Sequence, residues 1–396
     1  MKVAGGLIAL LLILNLILLA FFVKETNNSG KALLILQETN KSLVLLQDSL
    51  GRTDMQKAFV HLADARRQIA AALPPAPVAP PAKTVAEPKG EPVKPLDVAR
   101  KAPAVPVKKA EFKIPTGETP APLVWAMAGD YALIGEKESK LLHLFKFQDD
   151  RFILVKSYPC IIGANGEDKK KAGDYATPNG SYFTLRYTPG SALPEIYGAG
   201  AFVLNYPNFL DRKDSKNGGG IWIHGHVPGK VIGTGDLVNT KGCIAVSNDN
   251  IKELKTLLKP GGTPISIVDA VTFVKESSRK ESLQEIRNFM DAWRKAWESG
   301  DTGKYLSYYS KDFINSEGMR FEAFRRHKER VNSGKKFIRV NIDQMAIIMP
   351  QEREGQVVVV RFIQKYRSNN FEKDSKKLFY LIKGQKGWSI FGESAF

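Results

Sequence analysis

The alternation of apolar and polar positions divides the chain into segments with different predicted structures. Residues 4–23 are apolar apart from glycines and Asn15, and these twenty residues are enough to cross a bilayer as a helix. Because no small-residue processing site follows, we expect an uncleaved membrane anchor over residues 1–24. Leucines then recur every seven residues within residues 31–73. This predicts an amphipathic helix, either a short coiled coil used for self-association or a helix lying near the membrane.

Residues 74–122 contain 13 of the 22 prolines of the chain, amid alanine, valine, lysine and glutamate. Such a composition does not form a packed core. We expect an extended, polyproline-like linker with a reach of roughly 150 Å, which would hold the following domains well away from a bilayer.

Two folded regions are predicted after the linker. Residues 123–275 consist of short β-rich runs separated by glycine-containing turns, and only residues 251–258 have a clear helical rhythm, so we predict a mixed, mainly β domain. Residues 276–396 begin with an amphipathic helix whose apolar positions recur at three- and four-residue steps and which ends near Gly300. Strands follow, and we expect them to form an antiparallel sheet around that helix.

Charge and cysteine content narrow the possible functions. The net charge of +17 is spread along the chain, and its densest basic run, residues 320–339, is explained by a solvated helix face or by a surface for an anionic ligand or polymer. No nucleic-acid-binding motif accompanies this run, so we expect no nucleic-acid partner. The 2 cysteines exclude a disulfide framework, and without paired Cys/His spacings we expect no metal site and no cofactor.

The sharpest chemical signal is the pair His224 and Cys243, which lie in the stretches Ile221-Trp-Ile-His-Gly-His226 and Asn239-Thr-Lys-Gly-Cys-Ile-Ala-Val246. A cysteine is a good acyl acceptor only as a thiolate, so it needs a nearby base and a site that holds the developing oxyanion. His224 can supply the base. Gly225 allows a tight turn after it, and Gly242 allows backbone amides to approach a substrate carbonyl.

These stretches resemble the signature of the YkuD-type L,D-transpeptidases, in which a histidine is followed by a Ser/Thr-x-Gly-Cys block. The segment Asp174-Tyr-Ala-Thr-Pro-Asn-Gly-Ser-Tyr-Phe183 is similar to the Thr-Pro-x-Gly segment of that family. The resemblance covers about residues 123–270. The terminal region, residues 276–396, resembles a nuclear-transport-factor-2-like (NTF2-like) domain, an α+β cone with a pocket. The pair of domains resembles the cell-shape-determining L,D-carboxypeptidases.

The resemblance implies a role for each residue of the motif. Cys243 is the nucleophile, His224 is the general base and then acid, and the Gly225 carbonyl orients the imidazole. Lys241, Thr240 and His226 are candidate substrate contacts. Lys241 would lower the thiol pKa, pair with a substrate carboxylate or simply be solvated. Many members of the family carry arginine where this chain has Ala245. This difference leaves open whether an amine or water is the acceptor.

The implied substrate is the peptidoglycan stem peptide. Cys243 would form a thioester and expel the terminal D-residue, and we expect an amine then to give a crosslink (transpeptidation). Water would instead give a tripeptide (carboxypeptidation), and a non-catalytic wall-binding scaffold is the alternative from another class. We expect a single-pass protein of the cytoplasmic membrane whose catalytic domain faces the periplasm or cell wall. The other thiol, Cys160, lies in an apolar run and is expected to be buried.

Overall fold

The computed structural model describes residues 112–235 and 237–395. The predicted anchor (residues 1–24), the predicted helix within residues 31–73 and most of the predicted linker lie outside the described residues. None of the described helices combines the length and the apolar character needed to cross a membrane. All the described residues belong to one compact unit.

The described residues form sixteen strands and five α-helices. The strands are β1 (Glu118–Pro120), β2 (Leu123–Trp125), β3 (Tyr131–Glu136), β4 (Leu141–Gln148), β5 (Arg151–Pro159), β6 (Gly180–Pro189), β7 (Gly200–Leu204), β8 (Trp222–His224), β9 (Ile244–Ala245), β10 (Pro264–Val268), β11 (Phe273–Lys275), β12 (Tyr309–Ile314), β13 (Ile338–Ile348), β14 (Val357–Ser368), β15 (Glu372–Gly384) and β16 (Gly387–Ala395). The helices are α1 (Phe209–Lys213), α2 (Asn248–Leu257), α3 (Glu276–Glu298), α4 (Thr302–Leu306) and α5 (Phe321–Asn332).

The first domain is built on an eight-stranded sheet with the order β5-β4-β3-β10-β6-β7-β8-β9. Its neighbouring strands are antiparallel except for the pairs β3 with β10 and β8 with β9, which are parallel. The mainly β character predicted for this region is therefore confirmed. The β8 and β9 pair ends the sheet and carries the two motif stretches.

The second domain is a six-stranded sheet with the order β12-β16-β15-β14-β13-β2, covered on one face by α3. Helix α3 forms because Ile286, Met290 and Trp293 recur at three- and four-residue steps and make one buried stripe. The helix ends before Gly300, which has a φ of +77°. The amphipathic helix is the one that the sequence predicts, and the sheet is antiparallel, as predicted, except for the parallel pair of β12 with β16.

The two domains share a hydrophobic core through the two faces of β14. Val358 and Val360 pack in the cluster that contains the α3 side chains. Val357 and Val359 point to the other face and pack in a cluster that includes Phe209 and other side chains of the first domain. Because side chains alternate along a strand, one valine run serves both cores. The terminal sheet is thus held between α3 and the first domain.

The structure differs from the sequence prediction at the end of the linker. Residues 112–122 were predicted to be extended linker, but β1 pairs with β11 and Ala121 is buried. Strand β2, predicted to belong to the first domain, pairs with β13 of the terminal sheet. Composition alone does not reveal such pairings, because the partner strands lie more than a hundred residues away in the chain.

Candidate active site

Strands β8 and β9 bring His224 and Cys243 to one face of the sheet. In the parallel register of these strands, His224 lies opposite Ala245 and Ile223 lies opposite Ile244. Cys243 directly precedes β9 and is two residues from Ala245, so the alternation of side chains places it on the same face as His224. His224, at the end of β8, and Cys243, directly before β9, are thus brought together although they are nineteen positions apart in the sequence.

The imidazole of His224 is buried and has a defined orientation. Its Nδ1 lies 2.5 Å from the carbonyl oxygen of Gly225. Because a carbonyl oxygen only accepts, Nδ1 carries the proton and donates it, and the lone pair is on Nε2. Burial lowers the pKa of His224 from its usual value, and the nearby His226 lowers it further against the opposing effect of the Gly225 carbonyl. The imidazole is therefore a neutral base near neutral pH.

The thiol of Cys243 is also neutral in this structure. Its Sγ donates a hydrogen bond to the carbonyl oxygen of Gly220 at 3.2 Å. Burial raises the pKa of Cys243 to about 11, although the Trp222 amide and the charge of Lys169 act in the opposite direction. With a raised thiol pKa and a lowered imidazole pKa, the resting pair is thiol and imidazole rather than thiolate and imidazolium.

Tyr197 packs against His224 and was not identified from the sequence. It ends the short 3-10 turn Glu195–Tyr197, and its ring centroid lies 5.0 Å from that of His224 and 4.7 Å from that of Trp222. Burial, together with the charge of an ionised Cys243, raises the pKa of Tyr197. The phenol ring therefore packs against His224 and lies within reach of the charge of Cys243.

Asn248, at the start of α2, holds the turn after His224. Its Oδ1 accepts hydrogen bonds from the amides of Ala199 at 2.8 Å and His226 at 3.2 Å, and its Nδ2 donates to the His226 carbonyl at 2.8 Å. An added Cβ on Gly225 would lie 2.2 Å from Asn248 Oδ1. Glycine is thus required at 225 because the asparagine side chain approaches so closely. Asn248 was also missed by the sequence analysis.

The turn before Cys243 is tied by Thr240 and by the Thr-Pro-x-Gly segment. The Thr240 hydroxyl donates to the Cys243 carbonyl at 2.7 Å and accepts from the Gly242 amide at 3.0 Å. The Gly242 carbonyl accepts from the buried hydroxyl of Thr177 at 3.0 Å. Gly242 has a φ of +123°, and an added Cβ would lie 2.7 Å from the Ala176 carbonyl oxygen. Thr240, proposed as a substrate contact, thus binds the backbone, and the Gly242 amide is already engaged.

The other two candidate substrate contacts lie in different surroundings. Lys241 is exposed, and its Nζ is 5.9 Å from the ring centroid of Tyr175. His226 is buried, and its Nδ1 lies 2.9 Å from the Val227 carbonyl oxygen. The cation whose charge lowers the thiol pKa is Lys169, not the neighbouring Lys241.

Lys169 is buried and belongs to a polar cluster beside the thiol. Its Nζ donates to Asp174 Oδ1 at 2.6 Å and to the Lys171 carbonyl at 3.1 Å. The second thiol, Cys160, is 3% exposed, and burial raises its pKa to about 12. Within the described ranges, no group of His, Cys, Asp or Glu side chains is arranged to hold a metal ion.

Comparisons with known proteins identify the family of each domain. Residues 130–267 match the YkuD family, the L,D-transpeptidase catalytic domain, and residues 285–394 match the Cds6 C-terminal NTF2-like domain. No match was found among curated protein sequences. The structure is similar to Bd1075 of Bdellovibrio bacteriovorus, with 30% identity, a TM-score of 0.57 and coverage of 70% of this chain and 98% of that chain.

A second similar structure is the helical cell shape determining protein Pgp2 of Campylobacter jejuni. It is 26% identical, with a TM-score of 0.55 and coverage of 69% of this chain and 95% of that chain. The chain therefore belongs to the YkuD L,D-transpeptidase family and carries a C-terminal Cds6-type NTF2-like domain. This is a cell-wall L,D-transpeptidase/carboxypeptidase family.

Proposed function

We propose that the protein is a cell-wall enzyme that cleaves peptidoglycan stem peptides through a thioester on Cys243. The thiol attacks the carbonyl carbon on the L-centre of the diamino acid and expels the terminal D-residue as its amine. The observation that supports this most directly is the pairing of His224 with Ala245, two residues after Cys243, on adjacent parallel strands. A wall-binding scaffold would need neither residue in that arrangement.

The two neutral groups define how the protons move. As substrate binds, Nε2 of His224 takes the proton from Sγ, while the Gly225 carbonyl stabilises the imidazolium through Nδ1. Sulfur attacks, and the imidazolium then gives its proton to the departing amine, which leaves the thioester and a neutral imidazole. In the second half, the same nitrogen activates the acceptor, and the thiol regains its proton.

We assign the backbone amide of Cys243 as a donor to the oxyanion. The neighbouring Gly242 amide already donates to Thr240 Oγ1 at 3.0 Å and is not available in this conformation. The Cys243 amide has no acceptor among the hydrogen bonds of the described residues, and it lies next to the attacking sulfur. An amide in this position stabilises the charge that develops on the carbonyl oxygen.

We propose water as the acceptor, which makes the enzyme an L,D-carboxypeptidase that trims tetrapeptide stems to tripeptides and so affects cell shape. The combination of a YkuD domain with a Cds6-type domain, and the likeness to a protein named for its role in helical cell shape, favour this choice. Transpeptidation uses the same chemistry up to the thioester and differs only in which nucleophile reaches it.

The terminal domain is proposed to position the substrate rather than to supply catalytic groups. It contains a cavity of about 530 Å³. The cavity is lined by aromatic and cationic side chains, among them Trp297, Lys328, Lys335, Tyr366, Lys373 and Lys377. Lys328 Nζ lies 5.0 Å from the Trp297 ring centroid, and burial lowers its pKa to about 8. Such a lining suits an anionic wall fragment with an apolar portion.

The location follows from the substrate. Stem peptides lie outside the cytoplasmic membrane, so we propose that residues 1–24 anchor the chain there with the catalytic domain facing the periplasm or cell wall. Residues 31–73 are proposed to allow self-association, and residues 74–111 to extend the tether.

The experiment is to incubate the full chain in detergent with tetrapeptide muropeptides and to identify the products by mass. A tripeptide supports the carboxypeptidase, and a crosslinked dimer replaces it with the transpeptidase. The Cys243→Ala variant is the matched control. If neither product forms and Cys243→Ala binds isolated cell wall as well as the parent does, the protein is a non-catalytic wall-binding scaffold instead.

A further inference from the structure

Residues 208–220, here called the bridging segment, run from the surface of the terminal domain to the sulfur of Cys243. The segment includes α1 and the glycines that precede β8. It contacts the terminal sheet at its beginning and the candidate nucleophile at its end, so one short stretch of backbone joins the two domains at the site of chemistry.

At its beginning, the bridging segment inserts a ring into the terminal domain. The ring centroid of Phe209 lies 4.8 Å from that of Tyr380 and 5.2 Å from that of Phe391. An added Cβ on Gly392 would lie 2.5 Å from Phe209 ring carbons, so the absence of a side chain there makes room for the ring. Close packing of this kind fixes the position of α1 against the sheet.

A second contact lies at the end of α1. The carboxylate of Asp214 forms an ion pair with the guanidinium of Arg353, which belongs to the short 3-10 turn Gln351–Arg353 between β13 and β14. Both side chains are partly exposed, at 40% for Asp214 and 30% for Arg353. Substitutions at these positions therefore leave the hydrophobic core intact.

The remainder of the bridging segment is fixed on the catalytic side. The Asn217 amide donates to the Lys170 carbonyl at 3.0 Å, and Asn217 Oδ1 accepts from the Ala172 amide at 2.9 Å. The carbonyl oxygen of Gly220 then accepts the thiol proton of Cys243 at 3.2 Å. Five residues lie between Asp214 and Gly220, and Asn217, in the middle of them, is held by the two bonds to residues 170 and 172.

We propose that the terminal domain positions the hydrogen-bond acceptor of the Cys243 thiol through the bridging segment, with Asp214 and Arg353 as positioning residues. The proposal rests on the proposed function only in taking Cys243 as the nucleophile. The bond to Gly220 stabilises the protonated thiol and fixes the direction of Sγ. Loosening the segment therefore makes the thiol easier to ionise while making its attack on the stem peptide less well directed.

The thiol becomes easier to ionise while its attack on substrate becomes less efficient. This combination distinguishes a loss of positioning from general damage to the fold. The test uses the full chain and the variants Arg353→Glu, Asp214→Arg and the double exchange, which restores an ion pair with the charges swapped. Lys365→Glu is the matched control, since Lys365 forms a partly exposed ion pair with Asp343 in the same domain and away from the segment. The readouts are the rate of iodoacetamide alkylation of Cys243 against pH, and kcat and KM on tetrapeptide muropeptides.

We expect each single variant to shift the alkylation profile to lower pH, with alkylation about threefold faster at neutral pH, as suits a partly exposed ion pair. We expect kcat to fall by a similar factor with KM unchanged. The double exchange should recover both values, and Lys365→Glu should match the parent. Buried Cys160 is an internal reporter, because it stays unreactive as long as the variant is folded.

The proposal is overturned if the single variants match Lys365→Glu in both readouts, if the double exchange recovers neither, or if Cys160 becomes reactive along with Cys243. If the proposed function is wrong, the parent shows no turnover. The alkylation profiles of the parent and of the variants can still be measured, so the two failures are distinguishable.

Discussion

The ring of Tyr197 meets the imidazole of His224 edge-to-face, with an angle of 83° between the ring planes. The Gly225 carbonyl holds Nδ1 of the same imidazole. The imidazole of His224 is thus restrained by a hydrogen bond at Nδ1 and by the aromatic contact with Tyr197. Such restraint fixes the orientation of the imidazole without the carboxylate that a serine-protease triad uses.

The contribution of the Tyr197 ring is tested by comparing two substitutions. Tyr197→Leu removes the aromatic contact and should lower kcat by about tenfold, because the imidazole then samples unproductive orientations. Tyr197→Phe keeps the ring and should retain most of the activity. The measurement is release of the terminal D-residue from tetrapeptide muropeptides. Equal loss in both variants would show that the hydroxyl, not the ring, is what matters.

The neutral state of the dyad predicts an unusual pH dependence. Alkylation of Cys243 should rise steadily through alkaline pH toward an inflection near its raised pKa of about 11. A thiolate–imidazolium pair would instead react rapidly down to acid pH. Because the pKa of His224 is lowered, turnover should persist through neutral pH and fall only in acid, as the base becomes protonated. An alkylation plateau extending below neutral pH would contradict the neutral dyad.

The turn after His224 depends on Asn248. Asn248→Ala removes the partner of the Ala199 and His226 amides and should lower the free energy of unfolding by about 1–3 kcal/mol. It should also lower kcat by a larger factor than it changes KM. Asn250→Ala, two residues along the same helix, is the matched control and should change neither. Denaturant unfolding and muropeptide kinetics provide the two readouts. If kcat is unaltered in Asn248→Ala, Asn248 does not hold the turn in the way that the activity requires.

Lys169 is predicted to act on both stability and the thiol. Burial alone would raise the pKa of Asp174, but hydrogen bonds from Lys169 and from backbone amides hold it well below its usual range. A carboxylate with a depressed pKa adds stability above its unfolded pKa, and this stability is lost as the pH falls through the folded value. Lys169→Met should therefore lower Tm at neutral pH. The difference in Tm between the parent and this variant should become smaller in acid. The variant should also move Cys243 alkylation to higher pH.

If Lys169→Met left the alkylation profile of Cys243 unchanged, the electrostatic contribution of Lys169 would be refuted, whatever happened to Tm. The Lys252→Met variant is a suitable control, since Lys252 pairs with Asp249 on the exposed surface of α2.

Sequence reasoning was most successful where the signal is local. The periodicity of α3 follows from residues three and four apart, and the His224 and Cys243 stretches lie at the ends of two short strands. The resemblance to the YkuD and NTF2-like families is confirmed by the matched regions. Each of these depends on neighbours in the chain, which a sequence displays directly.

The rest of the site depends on contacts between distant segments. Tyr197 and Asn248 flank the histidine because the strand order brings separate turns together, and neither carries a distinctive motif. Lys169 rather than Lys241 acts on the thiol, because adjacency in the chain does not determine which charge lies nearest in space. The thiol acceptor, Gly220, is a backbone carbonyl, which no residue type reveals.

The central claim is that Cys243 captures the acyl group of the stem peptide, and the most direct measurement is the intact mass of the protein after rapid acid quenching of its reaction with a tetrapeptide muropeptide. We predict an added mass equal to the tetrapeptide muropeptide minus the free terminal D-amino acid, mapped by proteolysis to the peptide that contains Cys243 and absent from Cys243→Ala. Continued release of the terminal D-residue by Cys243→Ala, or an adduct on any other residue, would contradict the account.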